Sequence, residues 1–344
     1  MHKHVFWLSE LGQEDKVLVG KKCANLGEMT KLKMPVPLGF AIALTAEERF
    51  LDETGARREI EEVLKEAGDL KDYRIAHQAS SKIREILQGK EIPADLEDVI
   101  ASYYEGLCAE RSCEIAVSVR SAGVVSHPGM YETYLNIKGR QQVLDMVKKV
   151  WASIFNHRTI CAAVQHGLPV AKSPSIGVGV IELVNARTAG VCFTVHPTTG
   201  DPSQAVIESN WGLGESVVSG QVDVDRYVID KDSLKVIEKT LGQKQMQIVP
   251  KGHGVAEEEP APEKRTAYTL SDEEAVEVVK IGLSLESHFN EPQDLEFSID
   301  ADRPFPQNVF LLQTRGIVGV KVQSKKSSEE KLKEQLAKRL SRIV

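Results

Sequence analysis

The chain has 344 residues, 42% of them hydrophobic and 27% charged, with a formal net charge of −7. That length exceeds one small domain and suits a large α/β unit or two lobes with a sizeable core; the acidic balance leaves no basic footprint for nucleic acid as main partner, though it leaves room for a local phosphate pocket. Five scattered cysteines without CxxC spacing (Cys23, Cys108, Cys113, Cys161 and Cys192) predict thiols in a reducing compartment, with neither a disulfide framework nor a zinc site.

The start, MHKHVFWLSELGQ, lacks an apolar signal core and no run reaches the length of a membrane span, so a cytoplasmic protein is expected. Residues 17–19 predict a short strand running into Gly20, Lys21 and Lys22, with a helix over 24–32. The passage is not a P-loop, because no GxxxxGK precedes a Ser or Thr, and plain solvation is the alternative reading of a turn lysine. MPVPLGFAIAL is a proline-stiffened entry into another strand, and Thr45 with Glu48 predicts a capping box for the next helix. Residues 55–111 read as helical, with breaks near Gly68 and at Ile92 and Pro93, and suggest no chemistry.

Residues 115–120 predict a strand, followed by the small-residue loop SAGVVSHPG and extended structure again over 131–137. Such a loop can bend its amides around a phosphate with Arg120 at its mouth, or it can be a plain hairpin. His127 within it is either a titrating or phosphate-contacting imidazole or an inert surface one. Val143, Val147, Val150 and Ile154 stand at helical spacing and predict one helix reaching residue 165, with Trp151 and Phe155 in the core. Residues 176–183 and 190–194 predict an apolar strand pair around the turn 184–189, an element able to line an adenine slot with backbone hydrogen bonds. A strand over 205–208 leads to NWGLGESVVSG, where Val217 occupies the third glycine position of a dinucleotide fingerprint and argues against a Rossmann site. Strands follow at 223–229 and 234–240, and Ser271 with Glu274 caps a helix to residue 289.

The segment 294–315, DLEFSIDADRPFPQNVFLLQTR, is the richest in chemistry. Asp294 and Glu296 alternate with Leu295 and Phe297, so a strand sends both carboxylates to one face; Leu311, Gln313 and Arg315 share a face of a second strand, with 302–308 as the loop between. Antiparallel pairing would bring two carboxylates, an amide oxygen and a guanidinium to one patch. Hard oxygen donors suit Mg²⁺, which shares its sphere with phosphates, and arginine forks onto phosphate oxygens. The alternative is a solvated hairpin whose acidic face meets water. Beyond it, residues 324–344 place Leu332, Leu336, Leu340 and Ile343 on one helical face among many charges, a pattern for docking on the body or a partner and not on a membrane.

Eight segments, taken together and in order, resemble the ATP-binding N-terminal part of phosphoenolpyruvate synthase and pyruvate phosphate dikinase: GKKCANLGEM (20–29), PVPLGFAI (35–42), SVRS (118–121), PGMYETYLNI (128–137), GVCFTVHPTTG (190–200), SNWGLGESVVSG (209–220), DLEF (294–297) and LLQTR (311–315). The resemblance runs from about residue 5 to 320. It implies an α/β (α+β), ATP-grasp-like fold over residues 1–323, with two lobes closing on MgATP, and residues 324–344 as a charged helical tail. It implies Lys22 as the nucleotide lysine, Arg120 and Arg315 as the phosphate-contacting, catalytic arginines, Glu296 and Gln313 as metal and nucleotide ligands, and Asp294 as their acidic neighbour. ATP and Mg²⁺ are the cofactors it implies, with no other metal, no nucleic acid and no membrane. Lys21 departs from the pattern, standing where the family commonly has a second glycine.

The family passes phosphate through a histidine on a swivelling domain to pyruvate in a barrel domain, and none of the nine histidines here lies in a Thr-Ser-His or Thr-Cys-His context. The start and the charged end suggest a separately encoded subunit of an ATP-dependent phosphotransferase. Its expected reaction is transfer from ATP, giving AMP and phosphate, to a histidine on a partner subunit of a phosphoenolpyruvate synthase-like enzyme, or of a split enzyme resembling phenylphosphate synthase. Two other classes stay open: a nucleotide-sensing subunit without chemistry, and a stand-alone ATP-grasp ligase forming ADP.

Overall fold

The computed structural model describes residues 3–124, 132–166, 170 and 175–323. His127, most of the small-residue loop around it and the 324–344 tail lie outside the described residues. The chain divides into two compact units, one made of Met1–Asn185, Ile248–Glu258 and Phe310–Thr314, the other of Ala186–Gln247, Glu259–Val309 and Arg315–Val344. The architecture is mixed helix and sheet, as the α/β reading expects.

The first unit is built on a five-stranded antiparallel sheet from β1 (Val5–Trp7), β2 (Gly39–Ile42), β3 (Val117–Ala122), β4 (Thr133–Ile137) and β5 (Gly177–Glu182), in the order β1-β2-β5-β3-β4. Its helices are α1 (Lys16–Val19), α2 (Lys21–Lys31), α3 (Leu44–Glu53), α4 (Ala56–Glu66), α5 (Tyr73–Gly89), α6 (Ala94–Arg111), α7 (Arg140–Ala152) and α8 (His157–Gln165). The helices hold because each presents an apolar stripe: α4 buries Ala56, Ile60 and Val63, one face at i, i+4 and i+7. That stripe joins a continuous core with Phe40, Phe50, Val119, Trp151 and Val180, in which Phe50 stacks on Trp151 at 5.0 Å.

Four expectations are corrected here. Residues 17–19 form the short helix α1 and pair with no strand; three apolar residues do not discriminate helix from strand, and the left-handed Gly20 (φ 80°) separates α1 from α2. Thr45 caps nothing: α3 begins one residue earlier after an extended Ala43, and the Thr45 hydroxyl meets His4 Nδ1 at 3.0 Å. The helix expected to reach residue 165 breaks after Ala152, because Asn156 turns extended and its side chain accepts from Thr159 N at 3.0 Å, starting α8. The strand pair around 184–189 does not form; β5 pairs with β2 and β3, while the following strand belongs to the second unit's sheet.

The second unit contains β6 (Ala186–Phe193), β7 (Gln204–Trp211), α9 (Glu215–Val218), β8 (Asp225–Asp230), β9 (Lys235–Thr240), α10 (Pro262–Arg265), α11 (Asp272–Phe289) and β12 (Gln293–Asp300). A hairpin of β10 (Gln247–Lys251) and β11 (Gly254–Glu258), not foreseen from the sequence, returns to the first unit. The last strand, β13 (Val309–Gly316), is the edge of a six-stranded sheet ordered β13-β12-β6-β7-β8-β9, and its middle, Phe310–Thr314, groups with the first unit.

The start of α11 is as the sequence predicts: Ser271 Oγ accepts from Glu274 N at 3.2 Å and Glu274 Oε2 accepts from Ser271 N at 3.0 Å. The helix lies close on the sheet because residue 282 is glycine, where a Cβ would stand 2.8 Å from Leu295 Cδ2. A fully buried ion pair fixes the loop after β9. Lys244 Nζ donates to Asp225 Oδ1 at 2.5 Å and to Gly242 O at 2.9 Å, and Asp225 Oδ2 accepts from Thr269 N at 2.7 Å. Gly242 N also donates to Asp225 Oδ1 at 2.9 Å, so both carboxylate oxygens are engaged, which such a pair needs to offset its desolvation.

Candidate functional site

In the first unit the candidate site grows from the start of α2. Gly20 has φ 80°, and a Cβ there would stand 1.9 Å from Ala122 O, so no side chain fits. The absent Cβ lets Lys21 N donate to Gly123 O at 2.9 Å, pinning the first turn of α2, with Lys22, against the end of β3. Lys21 itself is exposed.

Arg120 sits on β3, opposite Gly179 of β5 and Thr133 of β4. A Cβ at 179 would stand 3.1 Å from Cys23 Sγ and 3.5 Å from Arg120 Cγ, so this glycine makes room for both side chains. Burial pushes the Cys23 thiol up to about 12, against the pull of the Arg120 and Lys22 charges. It is a neutral spacer beside two cations and not a nucleophile.

The Arg120 guanidinium donates from Nη1 to Leu312 O at 3.2 Å and from Nη2 to Gln313 Oε1 at 2.8 Å. Two further ties hold the same piece of β13: Asn25 Nδ2 donates to Thr314 O at 2.8 Å, and Leu311 N donates to Pro35 O at 2.8 Å. Gln13 Nε2 in turn donates to Asn25 Oδ1 at 2.7 Å. Arg120 and Gln313 are therefore in direct contact, with the α2 start that bears Lys22 fixed to the end of the Arg120 strand. The sequence reading missed Asn25, Cys23 and Gly179. The signal was there for Asn25, since asparagine inside a helix is a poor helix former and a buried one needs a polar task.

In the second unit, β12 runs antiparallel to β6 with Asp294 opposite Phe193 and Glu296 opposite Val191. Leu295 and Phe297 are buried while Asp294 and Glu296 are half-buried, the alternation expected of the strand. Arg315 places Nε at 2.8 Å and Nη2 at 2.6 Å from the same Asp294 oxygen, Oδ2. Asp294 thus serves as the counter-ion of Arg315. The arginine side chain is 44% exposed and the Asp294 side chain 11%, so the guanidinium end of the pair is open to solvent and to a competing anion.

Among the described residues no group of three or more His, Cys, Asp or Glu side chains could hold a metal ion, and none of their helices is long and apolar enough to cross a membrane. All five cysteines are free thiols.

The family model described as pyruvate phosphate dikinase, AMP/ATP-binding domain, matches residues 16–337. Among curated relatives, the probable phosphoenolpyruvate synthase of Staphylothermus marinus is 35% identical over 99% of this chain and 44% of its own length. That of Methanothermobacter thermautotrophicus is 36% identical over 92% of this chain and 46% of its own. The phosphoenolpyruvate synthase of Aeropyrum pernix is 33% identical over 90% and 42%. The chain spans less than half the length of these relatives. A match over this much of the chain settles its kinship: it is a member of the pyruvate phosphate dikinase AMP/ATP-binding domain family.

Proposed function

We propose that this chain binds MgATP and donates its β-phosphoryl group to a histidine on a partner domain while the γ-phosphoryl group passes to water, leaving AMP and phosphate. The observation that supports this most is the contact of Arg120 with Gln313 beside the pinned start of α2, which gathers a cation, an amide oxygen and the helix bearing Lys22 in one unit. Membership of an AMP/ATP-binding domain family supplies the nucleotide.

The donor chemistry fits Mg²⁺. Gln313 Oε1 is a hard amide oxygen beside the Arg120 guanidinium, and Glu296 is a half-buried carboxylate. A protein donor set this thin suits a cation that takes much of its sphere from water and phosphate. When bound, Mg²⁺ would offset the charge of the β- and γ-phosphates. Glu296 and Gln313 would hold it. Lys22 and Arg120 would neutralise the polyphosphate against an incoming nucleophile, and Arg315 would exchange the Asp294 carboxylate for a phosphate oxygen.

The nucleophile on this reading is an imidazole from elsewhere. The relatives extend well beyond the matched region and are named as phosphoenolpyruvate synthases, which favours pyruvate over phenol as the final acceptor in this chain's reaction. Residues 1–323 then act as two lobes around the nucleotide, with 324–344 as a tail, and the compartment is the cytoplasm.

The reading is tested by incubating the chain with ATP labelled at the β-phosphate and a candidate histidine-bearing domain. Acid-labile, base-stable label on that domain together with AMP is the expected result. ADP as the nucleotide product would overturn it in favour of a ligase, and nucleotide binding without transfer to any partner would favour a sensing subunit.

A further inference from the structure

Glu47, on α3, is wholly buried. Its Oε2 accepts from Ile176 N at 2.6 Å, while Oε1 lies buried without a hydrogen-bond partner. A carboxylate held this way is expensive, because one oxygen has no donor. Burial accordingly pushes the Glu47 carboxyl up to about 8, against the pull of the Ile176 N–H and of Arg57.

Among the described residues, the charged groups that act on Glu47 are Arg57 and Glu48. Arg57, from α4, is already paired with Asp52, and the neighbouring Glu48 disfavours a second negative charge. From the β5 side, among the described residues, come the Ile176 amide and the Ser175 hydroxyl, and the latter donates to Glu48 Oε1 at 3.2 Å.

Ile176 is the residue before β5, and β5 carries both glycines that shape the cation cluster. A Cβ on Gly177 would stand 2.6 Å from Val19 O, so the end of α1, and with it the Gly20 turn, rests directly on this residue. Gly179, two positions on, pairs with Arg120 and makes room for Cys23. The tie from Glu47 to Ile176 therefore fixes the foot of the strand against which Lys22 and Arg120 are set.

We propose that Glu47 is a pH-sensitive positioning residue: protonated, it packs α3 against the foot of β5 and holds the Lys22 and Arg120 elements in place, and on ionisation that packing gives way to admit water. The effect on nucleotide rests on the function proposed above; the effect on β5 does not.

The test compares wild type with Glu47→Gln between pH 6.5 and 9. One readout is the alkylation rate of Cys23 by iodoacetamide, mapped by mass spectrometry; the other is MgATP affinity by calorimetry. Cys23 reacts only when β5 opens, and the rise of thiolate with pH cancels in the ratio of the two proteins. The ratio of wild-type to variant labelling should rise between pH 6.5 and about 8 by up to roughly tenfold per unit, because opening there releases the Glu47 proton, and should level off above 8, where Glu47 is ionised in both states. MgATP affinity of the wild type should fall over the same range relative to the variant.

A flat labelling ratio would overturn the proposal. A rising ratio with no MgATP binding at any pH would uphold the role of Glu47 in β5 and refute the nucleotide reading alone. Should the variant fail to fold, infrared spectroscopy of the wild type decides: a protonated-carboxyl carbonyl band at pH 7 that is lost by pH 9 supports the proposal, and its absence at pH 7 overturns it.

Discussion

Arg120 and Gln313 are 193 positions apart and joined by one hydrogen bond of 2.8 Å, from guanidinium Nη2 to amide Oε1. A second bond from Nη1 to Leu312 O makes the contact a two-point fork onto β13. Lysine has no planar fork, only a compact ammonium on a shorter reach, and cannot reproduce this two-nitrogen geometry. Arg120→Lys should keep the fold but lose about 10²-fold or more in transfer from MgATP, as removal of one preorganised charge-stabilising group does. Steady-state kinetics with the partner domain checks it, and full activity in the variant would count against Arg120 as a phosphate contact.

Asp294 and Arg315 make a different prediction, because the Arg315 end of their pair is 44% exposed to solvent. Asp294→Asn keeps the side chain's shape while removing its charge and should cost on the order of 1 kcal/mol of unfolding free energy, measured in urea. If Arg315 leaves Asp294 to meet phosphate, the same variant should bind MgATP at least as tightly as wild type, whereas Arg315→Ala should bind it more weakly. A calorimetric titration showing both variants equal to wild type would remove Arg315 from the site.

Gly20 and Gly55 separate two costs of a side chain at positive φ. At Gly55 (φ 70°) a Cβ would meet nothing within 4 Å, so Gly55→Ala bears backbone strain alone, about 1 kcal/mol. At Gly20 (φ 80°) the same atom would also stand 1.9 Å from Ala122 O. Gly20→Ala should therefore cost on the order of 3 kcal/mol or more. Urea midpoints decide, and equal losses at the two sites would contradict the close approach of α2 to β3.

The Glu47 carboxyl sets a pH dependence whose sign follows from its direction. Its folded value is raised from the ordinary 4.5 to about 8. Between those limits the unfolded chain has released the proton and the folded chain still holds it, so stability falls as pH rises. The slope is ~1.4 kcal/mol per pH unit for one proton. The contribution is full below pH 4.5 and lost above 8. Glu47→Gln should flatten this part of the profile, and parallel profiles for the two proteins would contradict it.

Legibility in the sequence followed the distance over which a signal acts. The β12 alternation of Asp294, Leu295, Glu296 and Phe297 and the Ser271–Glu274 box are local patterns with one structural solution, and both are found. Residues 17–19 and Thr45 were misread because short segments fit two conformations and tertiary contacts chose between them. The supposed strand pair around 184–189 failed for a topological reason: the chain leaves one sheet after β5 and enters another at β6, and both strands are apolar because both are internal to their sheets. Arg120 and Gln313 could be named as candidates, but their contact, the task of Asn25 and the space left by Gly179 exist only once β3, α2 and β13 are assembled. Glu47 was invisible, one polar residue on a charged helix, until burial singled it out.

The proposal that Lys22, Arg120, Glu296, Gln313 and Arg315 serve one magnesium nucleotide is tested most directly by a crystal structure of the chain with Mg²⁺ and a non-hydrolysable ATP analogue. Lys22, Arg120 and Arg315 should contact phosphate oxygens of a single nucleotide, with Glu296 and Gln313 oxygens on its metal. A nucleotide that touches Lys22 and Arg120 while Glu296 and Arg315 face solvent, or one that binds away from all five, would contradict it.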